Sequence, residues 1–258
     1  MALYARIEKG TRKWWFYFII FLVQFLPPYP IWGITSSQDV NRLVEEVLSH
    51  ALVLSWKNFY PVFKVVPLVL LCLLIVSPAS KPFFRLFATL HYFILAFFQN
   101  TALLPDRGFS MLTSNVVMVT LVALSFLGEF FAPKTSFTFR RFNWKKGFLV
   151  GVAIFAFLYP VDPASLQPRF HIGDVFANVS GLTFCMMTPF YLVVFLLSYP
   201  EVNLVTLRIT GLVGTIIGGY NFFLNFMVDF PRLWWNGVLH LPLLFLSSYA
   251  FGLSLKGD

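Results

Sequence analysis

The chain has 258 residues, 58% of them hydrophobic and 12% charged, with a formal charge of +8 at neutral pH. Soluble globular domains carry roughly 25% charged residues, so this chain lacks the polar surface needed to cover a soluble fold. The basic charge does not call for a nucleic-acid partner, since it is distributed between apolar runs in a pattern that membrane orientation explains.

At the N-terminus Arg6, Lys9, Arg12 and Lys13 precede an apolar run from Trp14 to Trp32. Pro27, Pro28 and Pro30 end its core with no small-residue cleavage site, so it reads as a retained first span that doubles as a signal anchor. Ser36 or Ser37 is then placed to cap a helix over residues 37–54. In it Val40, Leu43, Val44, Val47, Leu48, Ala51 and Leu52 share one face, and Asn41, Arg42, Glu45, Glu46 and Ser49 the other. Such a segment suits the outer membrane interface, and its acidic polar face suits a protein partner.

Seven further apolar runs follow: Phe59 to Val76, Pro82 to Leu103, Leu112 to Phe131, Gly147 to Tyr159, Val175 to Leu197, Val205 to Val228 and Trp234 to Leu255. A helical crossing takes about 20 residues, and the fifth run of the eight has the length at which a re-entrant segment competes. The expected fold class is an all-α integral membrane protein. It is a polytopic bundle of about eight transmembrane helices forming one domain over residues 1–258, both termini cytoplasmic, in a plasma or inner membrane.

Charge supports that arrangement. Eight crossings put Arg6, Lys9, Arg12, Lys13, Lys81, Arg85, Lys134, Arg140, Arg141, Lys145, Lys146, Arg208 and Lys256 inside. Only Arg42, Lys57, Lys64, Arg107, Arg169 and Arg232 fall outside, thirteen against six, as the positive-inside rule expects. Omitting the fifth crossing would move Arg208 and Lys256 outward. The Arg140, Arg141, Lys145, Lys146 cluster suits anionic lipid headgroups. Seven of the 11 acidic residues fall outside, which leaves room for a polar site there.

No phosphate-binding glycine loop, His-Glu-x-x-His helix, Gly-x-Ser-x-Gly elbow or Cys-x-x-Cys pair is present. Cys72 and Cys185 lie in different apolar runs and suit packing, as do the contiguous Cys185, Met186 and Met187. No cofactor is specified: His91 and His240 enter their spans at depths that differ by roughly 8 Å, awkward for two ligands to one haem. His171 and Asp174, three residues apart in an outer loop, are the candidate metal pair, without a third ligand. Lys64 and Glu129 are ionisable groups inside or near spans, where such groups by default suggest function.

The seventh run carries Gly211, Gly214, Gly218, Asn221, Asn225 and Asp229 at spacings of three and four, which places all six on one helical face. Two arrangements suit it. Either the whole stripe packs, with the asparagines bonding across the interface, or the glycines pack and Asn221, Asn225 and Asp229 line an outward-opening cavity with Asn178, Arg232 and His240. Three functions remain open: a small-solute or ion permease or membrane-embedded binding protein with that outward site, a non-catalytic membrane subunit of a larger complex, and an intramembrane enzyme or electron carrier. The expected partners are membrane lipids, a small-molecule or ion ligand, and a protein bound through the outer helix.

Overall fold

The computed structural model describes residues 2–33, 37–139, 143–162 and 165–256. The side chains of Ser36, Ser37, Asn41, Arg140, Arg141 and Asp258, which bear on the expected helix cap and part of the charge pattern, lie outside the described residues.

Helices dominate: α1 (Ala2–Thr11), α2 (Trp14–Val23), α3 (Ser37–Ser49), α4 (Tyr60–Val76), α5 (Lys81–Phe98) and α6 (Thr113–Phe131) form the first half. The second half holds α7 (Trp144–Leu158), the single turn α8 (Asp174–Ala177), α9 (Phe184–Ser198), α10 (Leu204–Phe223) and α11 (Phe230–Lys256). Among the described residues four helices are long and apolar enough to cross a membrane, or five if α8, the following 3-10 turn and α9 count as one bent span. This fits an α-helical membrane protein. The count supported by length and apolar character is below the expected eight. The cores of α2 and α7, at 10 and 15 residues, fall short of the ~20 that cross a bilayer.

The core sits around α9, which is buried on almost every face and has α5, α7, α10 and α11 against it. A helix that is apolar all round belongs in such a central position. Its rings pack tilted or edge-on against those of its neighbours, Tyr191 lying 5.2 Å from Tyr92 and Phe195 lying 5.4 Å from Phe126.

Two features depart from the expected all-helical course. The third apolar run stops being helical at Phe98, and Thr101–Leu104 (β2) pairs antiparallel with Gly108–Met111 (β3), which also pairs with Tyr29–Pro30 (β1) in the order β1-β3-β2. Pro105, Asp106 and Arg107 make the hairpin loop, and Gly108 takes a φ of +68° that a side chain disfavours. The apolar face of α3 lies on this sheet: Leu43 and Val47 are fully buried with Ala102, Leu104 and Leu112, while Leu48 stays exposed. Protein covers much of the stripe expected to face lipid.

The second departure is a break. The sixth apolar run is not one helix, because α8 and the 3-10 turn Val179–Leu182 meet α9 at a bend of 98°. Asn178 and Ser180 compete for backbone hydrogen bonds and favour such a turn over a continued helix.

Candidate functional site

Irregular backbone at membrane depth persists only where protein groups satisfy it. Three side chains from α4 and α5 do this at the break. Gln99 Oε1 accepts from the Phe184 N–H at 2.8 Å, supplying the first turn of α9 with an acceptor. His91 Nε2 donates to the Gly181 carbonyl at 2.7 Å, and its Nδ1 accepts from the Tyr191 hydroxyl at 2.7 Å. A carbonyl can only accept, so His91 holds its proton on Nε2 and both ring nitrogens are engaged. Neither nitrogen is open to a haem iron. Gly181 itself sits where a Cβ would meet the Phe63 backbone at 2.9 Å, so α4 presses directly on the turn.

The third side chain is Lys64, completely buried about 6 Å along α4 from Tyr60. Its ammonium donates to Ser180 Oγ at 2.7 Å, to Asn178 Oδ1 at 3.1 Å and to the Phe157 carbonyl at the end of α7, and lies 4.1 Å from the centre of the Phe157 ring. Asn178 in turn donates to the Leu158 carbonyl at 2.7 Å, and Asp174 acts on Lys64 electrostatically from the α8 turn. Three donors meet three oxygens, which suits the charged amine. The set also accommodates the neutral amine. Ser180 Oγ then donates into the free lone pair while the two remaining N–H groups keep Asn178 and Phe157. A proton can therefore leave or enter without orphaning a polar atom.

The residues expected to line the ligand site and the candidate metal pair fall in three places. Asn178 belongs to the Lys64 cluster. The line on α10 packs against α11: a Cβ at Gly211 would meet Phe251 N at 2.7 Å and one at Gly218 would meet Leu244 Cα at 2.9 Å. Asn225 is buried and accepts from Asn236 Nδ2 at 2.8 Å across the interface, while its own amide donates to the Asn221 carbonyl. Asn221 donates to Ile217 O, and His240 donates through Nδ1 to Asn236 O, both within their own helices. Asp229 and Arg232 lie beyond a π turn over Leu224–Val228.

His171 and Asp174 share the third place, at the start of α8, but do not converge. His171 Nδ1 accepts from Gly173 N at 3.1 Å, whereas Asp174 pairs with Arg169 at 3.3 Å. Among the described residues no group of three or more His, Cys, Asp or Glu could hold a metal ion.

Glu129, the other ionisable group singled out in the sequence, is fully buried at the opposite end of the bundle. It pairs with Arg85 at 3.1 Å and accepts from Asn203 Nδ2 at 2.8 Å and from the Thr135 N–H at 2.9 Å. Tyr4 of α1 donates to Asn203 Oδ1 at 2.8 Å, and Lys134 lies 3.7 Å from its ring centre. Burial, with Glu8 adding to it, pushes the Tyr4 phenol up to about 12. Arg208 is likewise buried, donating to Thr11 Oγ1 and the Ser254 carbonyl. These groups tie α1 to α6, α10 and α11.

Fold and site together describe an α-helical membrane protein with an ionisable side chain locked into a helix break. Comparison with protein-family models, with curated proteins and with solved structures finds no match in any of the three.

Proposed function

We propose that the chain is a multi-pass membrane protein of about eight crossings, with both termini cytoplasmic in a plasma or inner membrane. In this proposal it works as a small-solute or ion permease whose polar site opens outward. The observation that carries this is the Lys64 ammonium held by Asn178, Ser180 and the Phe157 carbonyl at the broken sixth run. Broken helices at membrane depth are the usual framework for solute and ion sites, and buried ionisable groups in spans mark proton or ion pathways. With two satisfied protonation states, Lys64 is suited to couple a proton to movement of the α8–α9 break. The site thus centres on Lys64, Asn178 and Ser180, with Asp174 above it, rather than on the packed Asn221, Asn225 line. The crossings at α2 and α7 require flanking residues to extend the apolar cores.

The test is uptake into proteoliposomes of four probe classes, zwitterionic amino acids, organic amines, monocarboxylates and alkali cations, with and without an imposed proton gradient. The proposal predicts gradient-stimulated uptake of one class, and loss of that stimulation in a Lys64→Met variant that still folds. No uptake of any class, or an unaltered gradient response in Lys64→Met, would contradict it.

A second proposal, membrane subunit of a complex, is favoured by the outer cap. There α3 turns Arg42, Glu45 and Leu48 outward above the sheet. Gentle purification that retains a stoichiometric partner, lost on Glu45→Lys, distinguishes it.

A further inference from the structure

A groove of about 460 Å³ runs between α7 and α11, lined entirely by apolar side chains. The two helices are antiparallel here. Phe148 meets Phe245 at one end, 5.8 Å between ring centres, and Phe155 meets Trp235 at the other, 6.1 Å apart. From Phe148 to Phe155 the groove is about 10 Å long, two thirds of the ~15 Å that one leaflet's hydrocarbon occupies. Its width comes from Gly151, where an added Cβ would meet nothing within 4 Å, facing Leu241 and Pro242. Phe148, Leu241 and Phe245 are exposed, so the groove opens sideways toward whatever surrounds the bundle.

Charge at its ends selects the occupant. Lys145 is exposed and stands three residues before Phe148, on the same face of α7, beside the exposed Trp144. An aromatic next to a basic residue at a helix end is the pattern of an anchor at the headgroup level. At the opposite end Phe170 adds a further ring against Trp235, 6.2 Å away, and Asp229 and Arg232, shortly before Trp235 in the chain, are of opposite sign.

We infer that this groove is a binding site for one anionic phospholipid, with an acyl chain between α7 and α11 and its phosphate on Lys145. The site is independent of the permease proposal. Native mass spectrometry of the delipidated protein in detergent, titrated with phosphatidylglycerol or with phosphatidylcholine of the same chains, tests it. Phosphatidylglycerol binds more tightly. Gly151→Leu, whose four-carbon side chain displaces at least two methylenes of the acyl chain, weakens it at least about tenfold. Leu241→Trp fills the groove from the other side and does the same. Lys145→Gln weakens phosphatidylglycerol about fivefold and leaves phosphatidylcholine unchanged. Unaltered binding in a folded Gly151→Leu or Leu241→Trp variant overturns the groove as the site. Equal affinity for the two lipids, insensitive to Lys145→Gln, overturns the anionic assignment.

Discussion

The ionisable residues of this chain divide by what surrounds them. Glu129 and Arg85 form a charge pair completed by backbone and amide donors, so their burial costs little beyond desolvation already met by partners. Lys64 has neutral oxygens as its hydrogen-bond partners, and the permease proposal rests on that difference. Both positions were legible in the sequence, because an intramembrane charge stands out against 12% charged residues. Their partners were not. Asn178 and Ser180 are 114 and 116 residues from Lys64, a separation that no local pattern encodes. Tyr4 gives a pH test at this scale. Its phenol is neutral in both the folded and unfolded chain below about pH 10 and is held neutral up to about 12 only when folded. The favourable neutral state is therefore lost as pH rises through that window, and stability falls. Thermal melts across pH 9 to 12, roughly the interval between the free and buried phenol, should decline more steeply for the native chain than for Tyr4→Phe. Equal slopes would show that Tyr4 is not buried against Asn203.

At the level of elements, apolar runs located the helices but not where they stop. Thr101 to Leu103 prolong the third run, and apolarity alone cannot distinguish a strand from the end of a span. The turn signal that could have separated them is Pro105 to Gly108. Likewise Asn178, Ser180 and Gly181 lie inside the sixth run and mark the break, yet the run's length concealed them. The glycine face of α10 was legible, because a repeat of three and four places small residues on one side whatever the partner. Its partner, α11, was not. Above it Asn225 bonds across the interface and Asn221 within its own helix, and close approach accounts for the glycines of the stripe. Gly211→Ala should therefore cost about 1–3 kcal/mol, since its Cβ meets the α11 backbone and the helices must part. Gly219→Ala on the same helix meets nothing within 4 Å and should be neutral or stabilising by up to about 1 kcal/mol. Thermal unfolding of the two variants checks this, and equal effects would mean that α10 and α11 are not in direct backbone contact.

For the molecule as a whole, composition established the solvent, while the number and direction of crossings rest on charge. The basic residues of the Lys134 to Lys146 segment and the acidic residues of the Asp162 to Asp174 loop must lie on opposite sides for the break at Asn178 to face outward. This orientation underlies the permease proposal, including the outward position that it gives Lys64. Replace Cys72 and Cys185, then introduce Ser136→Cys or Ser165→Cys and label intact cells with an impermeant maleimide. The account predicts that the cysteine at position 165 labels in intact cells and the one at position 136 only after permeabilisation. Labelling of both positions from the same side would contradict it.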